Sequence, residues 1–131
     1  MALLRAREGV MIPIREMLSQ SGVTEQQWRV LRILSERGAT DSSTLARQAN
    51  LHFPSLTRIA QAMSSKGYIS QKRDERDKRR QFLEITAAGQ HIIDTYSNRA
   101  QEIAESFRLK LGEEKYEHLL DLLALLEPEE G

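Results

Sequence analysis

The chain has 131 residues, 40% of them hydrophobic and 29% charged, and its 19 basic and 19 acidic side chains cancel to no formal net charge. That mixture excludes a disordered polyelectrolyte, and apolar runs of only a few residues exclude the roughly 20-residue stretch that crosses a bilayer. The size suits one globular domain, and the absence of cysteine excludes disulfides, a thiol nucleophile and thiolate metal sites, as suits a reducing cytoplasm.

The opening residues Met1, Ala2, Leu3, Leu4 and Arg5 lack the basic segment and sustained apolar stretch of a secretion signal. Instead Leu3, Val10, Ile14 and Met17, with Leu4, Met11 and Leu18 beside them, recur at helical spacing until Gly22, which predicts a first helix with one apolar stripe. Pro13 lies inside it and has no N–H to offer the Gly9 carbonyl, so the helix is expected to kink there or to begin a new turn. Thr24, Glu25, Gln26 and Gln27 have the capping-box form, in which the threonine hydroxyl accepts from the Gln27 amide while the Gln27 side chain reaches back. A second helix over about 25–37 follows, and its broad apolar face (Trp28, Val30, Leu31, Ile33, Leu34) is that of a helix packed on more than one side.

Gly38 ends that helix, and Asp41 offers an N-cap to a short one over 42–49 with Leu45, Ala46 and Ala49 inward. Residues 50–53 make a turn. Pro54 then has the fixed φ of a first helical position, and Leu56, Ile59, Ala60 and Met63 repeat at i, i+3, i+4 and i+7 until Lys66 and Gly67. Tyr68–Ile69 and Phe82–Ile85 read as two strands separated by a charged stretch without an apolar residue from Gln71 to Gln81, that is, a hairpin with a long polar tip. Thr86, Ala87, Ala88 and Gly89 cap a long helix carrying Ile92, Ile93, Tyr96, Ala100, Ile103, Ala104, Phe107 and Leu111 over about 33 Å. A last helix, about 113–126, is rich in leucine and stops before Pro128.

Helix, helix, short helix, turn, second short helix and charged hairpin is the plan of a winged helix-turn-helix, whose second short helix enters the major groove. With Leu56, Ile59, Ala60 and Met63 inward, Ser55, Thr57, Arg58, Gln61, Ala62 and Ser65 fall on or near the outer face. Arg58 and Gln61 have heads suited to bidentate base contacts, and the Ser55 and Thr57 hydroxyls lie where helix amides favour a phosphate. From Lys66 to Arg80 seven bases (Lys66, Lys72, Arg73, Arg76, Lys78, Arg79, Arg80) outweigh three acids. From Gly112 onward seven carboxylates face one lysine, so a polyanion is expected to meet the middle of the chain and avoid its tail. The interspersed acids of the hairpin are expected to orient guanidinium groups, one of which can enter a narrow minor groove.

Over nearly its full length the chain resembles the MarR family, and within it the regulators of homoprotocatechuate operons. The resemblance is carried by the run from Glu25 to Leu34, by Leu45 and Ala46, by Pro54, Ser55, Leu56, Thr57 and Arg58, by Lys66, Gly67, Tyr68 and Ile69, and by the wing from Asp74 to Arg79 leading to Leu83 and Gly89. It implies a mainly α fold with a small β-hairpin wing, in one domain of 1–131. Residues 1–22 and 89–131 would form the dimerisation helices and 24–86 the winged lobe. It also implies a homodimer on a pseudo-palindromic operator of double-stranded DNA, with Arg79 in the position of the arginine that enters the minor groove. Relatives bind phenolic acids between the dimer helices and the DNA-binding lobe, which singles out Met11, Arg15 and Trp28 for a small phenolic or aromatic acid effector. For Trp28 the alternative is core packing, and for Arg15 an ordinary exposed helix arginine. Many members carry two arginines after the wing aspartate where this chain has Lys78 and Arg79, and the chain starts almost at its first helix, which implies less surface for dimer contacts.

The apolar stripes of the last two helices exceed what a lobe of about 65 residues covers, so an intermolecular surface is expected unless they pack wholly on their own chain. A symmetric pair would hold two recognition helices about 34 Å apart, matching successive major grooves. His52, His91 and His118 show no ligand spacing, so neither a metal nor another cofactor is assigned. No nucleophile elbow, phosphate loop or paired-carboxylate pattern points to an enzyme. The remaining alternative is a winged-helix module that docks on protein through its hairpin without touching DNA.

Overall fold

The computed structural model describes residues 1–129. In chain order these form α1 (Ala2–Leu18), α2 (Glu25–Arg37), β1 (Thr40–Asp41), α3 (Ser42–Gln48), α4 (Phe53–Ser65), β2 (Ile69–Arg73), β3 (Gln81–Ile85), α5 (Ala87–Leu111) and α6 (Glu113–Leu126). The chain divides into two compact units, one reaching to Ser97 and one from Asn98 onward. No helix among the described residues is long and apolar enough to cross a membrane.

In the first unit, α1 runs without interruption through Pro13; no new helix begins at the proline. α2 starts at the expected capping box: the Gln27 amide donates to Thr24 Oγ1 and the Thr24 amide to Gln27 Oε1, each at 3.1 Å, which satisfies two otherwise orphaned donors. Its broad apolar face is buried through Trp28, Val30, Leu31 and Leu34. With Leu45, Leu56, Met63 and Leu83 these form the core, each such side chain contributing about 1.5–3 kcal/mol by leaving water.

The sheet has three strands in the order β1-β3-β2, all antiparallel, with Thr40 opposite Leu83 and Ile69 opposite Ile85. Two features differ from the sequence reading. β1 was not foreseen, because two residues carry no period; Thr40 and Asp41 pair with β3 on the side away from β2. β2 begins at Ile69 and extends through Gln71, Lys72 and Arg73, so the unpaired wing tip is only residues 74–80. Strand pairing satisfies the backbone of these polar residues without any apolar side chain, which a hydrophobicity pattern does not register.

α5 begins where Thr86 Oγ1 accepts from the Gly89 amide at 3.2 Å and donates to the Gly67 carbonyl at 2.6 Å. A Cβ on Gly89 would stand 2.3 Å from the Tyr68 carbonyl oxygen and 2.8 Å from Ile85 Cγ1, so only glycine lets the helix lie this close to the strands. In the second unit, Ile103 is the one buried residue among the described ones. The Arg108 guanidinium lies 4.8 Å from the Tyr116 ring centroid and pairs with Glu105 and Glu113, bracing the turn at Gly112. Every residue of α6 remains at least partly exposed in the single chain.

Candidate nucleic-acid interface

The helix-turn-helix is built by a left-handed residue and a long arginine. α3 is capped at its start by Asp41, whose carboxylate accepts from the Thr44 amide at 3.1 Å and the Thr44 hydroxyl at 2.8 Å. Burial acts to raise the Asp41 pKa, but the Thr44 hydrogen bonds and the Arg80 charge outweigh it and hold the carboxyl below its ordinary value. At its end Asn50 takes a φ of 54°, the Leu51 amide donates to Ala46 O and the Asn50 amide to Arg47 O. This Schellman closure lets the chain reverse on an asparagine in place of glycine. Arg29 reaches over from α2 to donate to the Ala49 carbonyl at 2.6 Å. α4 then starts one residue earlier than expected, at Phe53, with His52 as N-cap and Pro54 in the second helical position, where the amide is equally without an intrahelical acceptor.

Leu56, Ala60 and Met63 are buried, which turns Thr57, Arg58, Gln61, Ala62 and Ser65 to solvent as expected, while Ser55 is half-buried. The hydroxyls are already engaged: Thr57 Oγ1 donates to Phe53 O at 3.1 Å and Ser65 Oγ to Gln61 O at 3.0 Å. Arg58 and Gln61 therefore carry the long polar heads of this face.

The wing tip is shaped by its acids. The Arg76 amide donates to Asp74 Oδ1 at 2.9 Å, the Arg79 amide to Asp77 Oδ1 at 3.0 Å, and the Asp74 amide to the Arg80 carbonyl at 2.9 Å. The carboxylates thus fold the loop backbone as well as orienting guanidinium groups. Asp77 does both, since its Oδ1 also stands 3.5 Å from Arg79 Nε, while the Arg79 side chain is 95% exposed. Two other exposed bases are tied to neighbouring groups of the protein. Arg73 donates to the Lys78 carbonyl at 2.7 Å. Arg80 lies 3.6 Å from Asp41 and 5.1 Å from the Phe82 ring centroid. Lys78 and Arg76 point to solvent.

Between α4 and the wing is a cleft of about 420 Å³ that brings together Phe53, Thr57 and Gln61 on the helix and Arg73, Arg79 and Arg80 on the hairpin. Arg58, Ser65, Arg76 and Lys78 lie outside its lining. A side-chain chain ties its two walls: Gln71 Nε2 donates to Ser64 Oγ at 2.8 Å and Gln81 Nε2 donates to Gln71 Oε1 at 2.5 Å. Sequence reading missed this link and Phe53. The glutamines flanking the hairpin were a visible signal, but their mutual reach depends on the register, which sets Gln71 opposite Leu83 and so diagonal to Gln81.

The effector candidates occupy different settings. Trp28 is 4% exposed and meets the Tyr96 ring edge-on, with centroids 6.4 Å apart and planes at 88°. Met11 is half-buried and Arg15 exposed. Arg15 is paired with Glu8; their hydrogen bond and mutual charge lower the Glu8 pKa and raise that of Arg15. Among the described residues no group of three or more His, Cys, Asp or Glu side chains is placed to hold a metal.

A helix-turn-helix flanked by a three-stranded sheet with a cationic tip defines a winged helix-turn-helix protein. The family model of the MarR family matches residues 23–80. The chain is 36% identical to the HTH-type transcriptional regulator FarR of Neisseria gonorrhoeae, over 95% of this chain and 85% of that protein. It is 33% identical to the homoprotocatechuate degradative operon repressor of Escherichia coli, over 93% and 82%. Its fold is similar to that of NadR in complex with 4-hydroxyphenylacetate, with a TM-score of 0.83 and 38% identity over 95% of this chain and 89% of NadR. The chain belongs to the MarR family of transcriptional regulators; it is a regulator, not an enzyme.

Proposed function

We propose that a homodimer of this chain binds a pseudo-palindromic duplex operator and represses an operon for aromatic-compound catabolism, releasing the DNA when a small phenolic or aromatic acid binds. In this reading α4 enters the major groove with Thr57, Arg58 and Gln61 toward the bases, and Ser55 and Ser65 lie close to the backbone. The wing follows the adjacent minor groove, with Arg79 inserted and Arg76 and Lys78 toward phosphates. Arg73 and Arg80 support the wing from behind. The observation that carries the reading is the Arg79 guanidinium, 95% exposed on a tip whose backbone is braced by two aspartates: a braced loop presenting an exposed cation, oriented by Asp77, beside the outward face of a recognition helix. The exposed leucines of α1 and α6, such as Leu4 at 65% and Leu126 at 69%, support residues 1–22 and 89–131 as dimerisation helices, with 24–86 as the DNA-binding lobe.

For the effector, support comes from the 4-hydroxyphenylacetate complex of NadR and from the similarity to the E. coli repressor of a homoprotocatechuate degradative operon. Arg15 is the cation a ligand carboxylate would take from Glu8, with Met11 and Trp28 as the candidates for apolar contact. Mobility-shift assays and footprinting on the promoter beside the protein's own gene test the main reading, with a protected site of two related halves expected. Arg79→Ala is expected to cost about 1–3 kcal/mol of binding without lowering the melting temperature; unchanged affinity would remove Arg79 from the mechanism. Gln61→Ala is expected to relax base preference more than overall affinity. Affinity should fall steeply with rising salt, whereas a winged-helix module that docks on protein would bind no duplex at all. Titration with 4-hydroxyphenylacetate checks the effector, since release of the operator by wild type but not by Arg15→Ala is expected.

A further inference from the structure

We propose that Phe53, with the methyl group of Thr57, forms an apolar reading patch on α4 that takes the C5-methyl of thymine in the major groove. This deepens the reading above and rests on it, since it supposes that α4 meets DNA.

Between Pro13 and Arg108, Phe53 is the one exposed large apolar side chain among the described residues, with 54% of its surface open. The others cluster on α1, the end of α5 and α6. Its neighbours toward the core, Leu56 and Ala60, are buried, so the open phenyl is not a sign of a loosely packed helix. Burying it would be worth up to about 1.5–3 kcal/mol, and the fold leaves part of that unrealised at the first turn of the helix that faces the wing.

The surroundings select the occupant. Phe53, Thr57 and Gln61 are spaced i, i+4, i+8 and line one wall of the same cleft. The Thr57 hydroxyl gives its proton to the Phe53 carbonyl, so it has none to donate to a base or phosphate, while its methyl is available for apolar contact. A protein-docking site needs a contiguous apolar patch of a few hundred Å²; here Ser42, Ser43, Gln61 and Arg79 line the same cleft as the phenyl, and one exposed ring in a cleft of polar and cationic groups does not supply that area. Thymine matches: its methyl is the only apolar group that a base pair shows in the major groove, and phenylalanine and threonine methyls are suited to it. Gln61, one turn beyond Thr57, is suited to adenine, so the row as a whole fits A·T pairs.

Duplexes selected by the wild-type protein from a random-sequence pool provide the probe, with each thymine replaced in turn by 2′-deoxyuridine, which removes the methyl and keeps the hydrogen bonds. Wild type is expected to lose about fourfold in affinity at one or more thymines of each half-site. Phe53→Ala should bind the thymine duplex several-fold more weakly and lose most of its sensitivity to uracil at that position, the Thr57 methyl keeping the remainder, whereas Phe53→Leu should keep more of the methyl sensitivity. Equal sensitivity of wild type and Phe53→Ala at every thymine, or none in wild type, would overturn the proposal while leaving DNA binding in place. Failure of the wild type to select any duplex would overturn the DNA-binding reading itself.

Discussion

Leucine plays two opposite parts in this molecule. In the unit reaching to Ser97, Leu31, Leu34, Leu45, Leu56 and Leu83 are almost wholly buried, against helices and a sheet of the same unit. In α6, Leu119, Leu120, Leu122, Leu123, Leu125 and Leu126 all remain exposed. Residue type and helical spacing are alike in the two places. What differs is the number of elements that converge: α2 is enclosed on several sides, whereas α6 has an apolar face and too few neighbours in its own chain. One region is a finished core, and the other needs a surface from elsewhere.

Substitutions divide along the same line. Leu31→Ala in the finished core should cost about 2–5 kcal/mol in chemical denaturation, because the enclosed site collapses only in part; a loss below 1 kcal/mol would show that α2 is not the hub of this unit. Gly89→Ala should cost about 1–3 kcal/mol, since the new Cβ must displace α5 from the Tyr68 carbonyl, and an unchanged melting temperature would break the claim of close approach. Asp41→Ala removes the α3 cap and should cost about 0.5–2 kcal/mol. Because the folded carboxyl titrates below its ordinary value, the wild-type contribution is complete above the unfolded aspartate pKa and disappears as pH falls through the lowered one. The gap between the two proteins should therefore close in acid. Smallest in its effect on the chain's own fold is Leu123→Ala in α6, expected within about 0.5 kcal/mol for the isolated protomer. Sedimentation should nevertheless show weaker self-association, and an unaltered dimer would remove Leu123 from the interface.

The helices of the lobe were legible in detail because their boundaries rest on local chemistry. Thr24 and Gln27 close the predicted capping box, Asp41 caps α3, and the turn at Asn50 falls where it was expected. The outward set of α4 was legible from the stripe of Leu56, Ile59, Ala60 and Met63. Less of the wing could be read. Its cationic tip was plain in the sequence, but the charges look equivalent there, and only the fold separates Arg79, almost fully exposed at the tip beside Asp77, from Arg73 on the Lys78 carbonyl and from Arg80 between Asp41 and Phe82. Phe53 was hidden for a related reason: read as the last residue of the turn, it belongs to no helical face, and only the fold puts it at the start of α4 with its ring uncovered.

By itself the sequence determined the order and type of the helices, the capping of the lobe's helices and the placing of positive charge on one hairpin, because each depends on residues within a few positions of one another. Tertiary structure alone decided the third strand at Thr40, the Ser64, Gln71 and Gln81 link between helix and wing, and which cations stay free. These depend on strand register and on side chains from distant segments meeting, and local spacing holds no information about that.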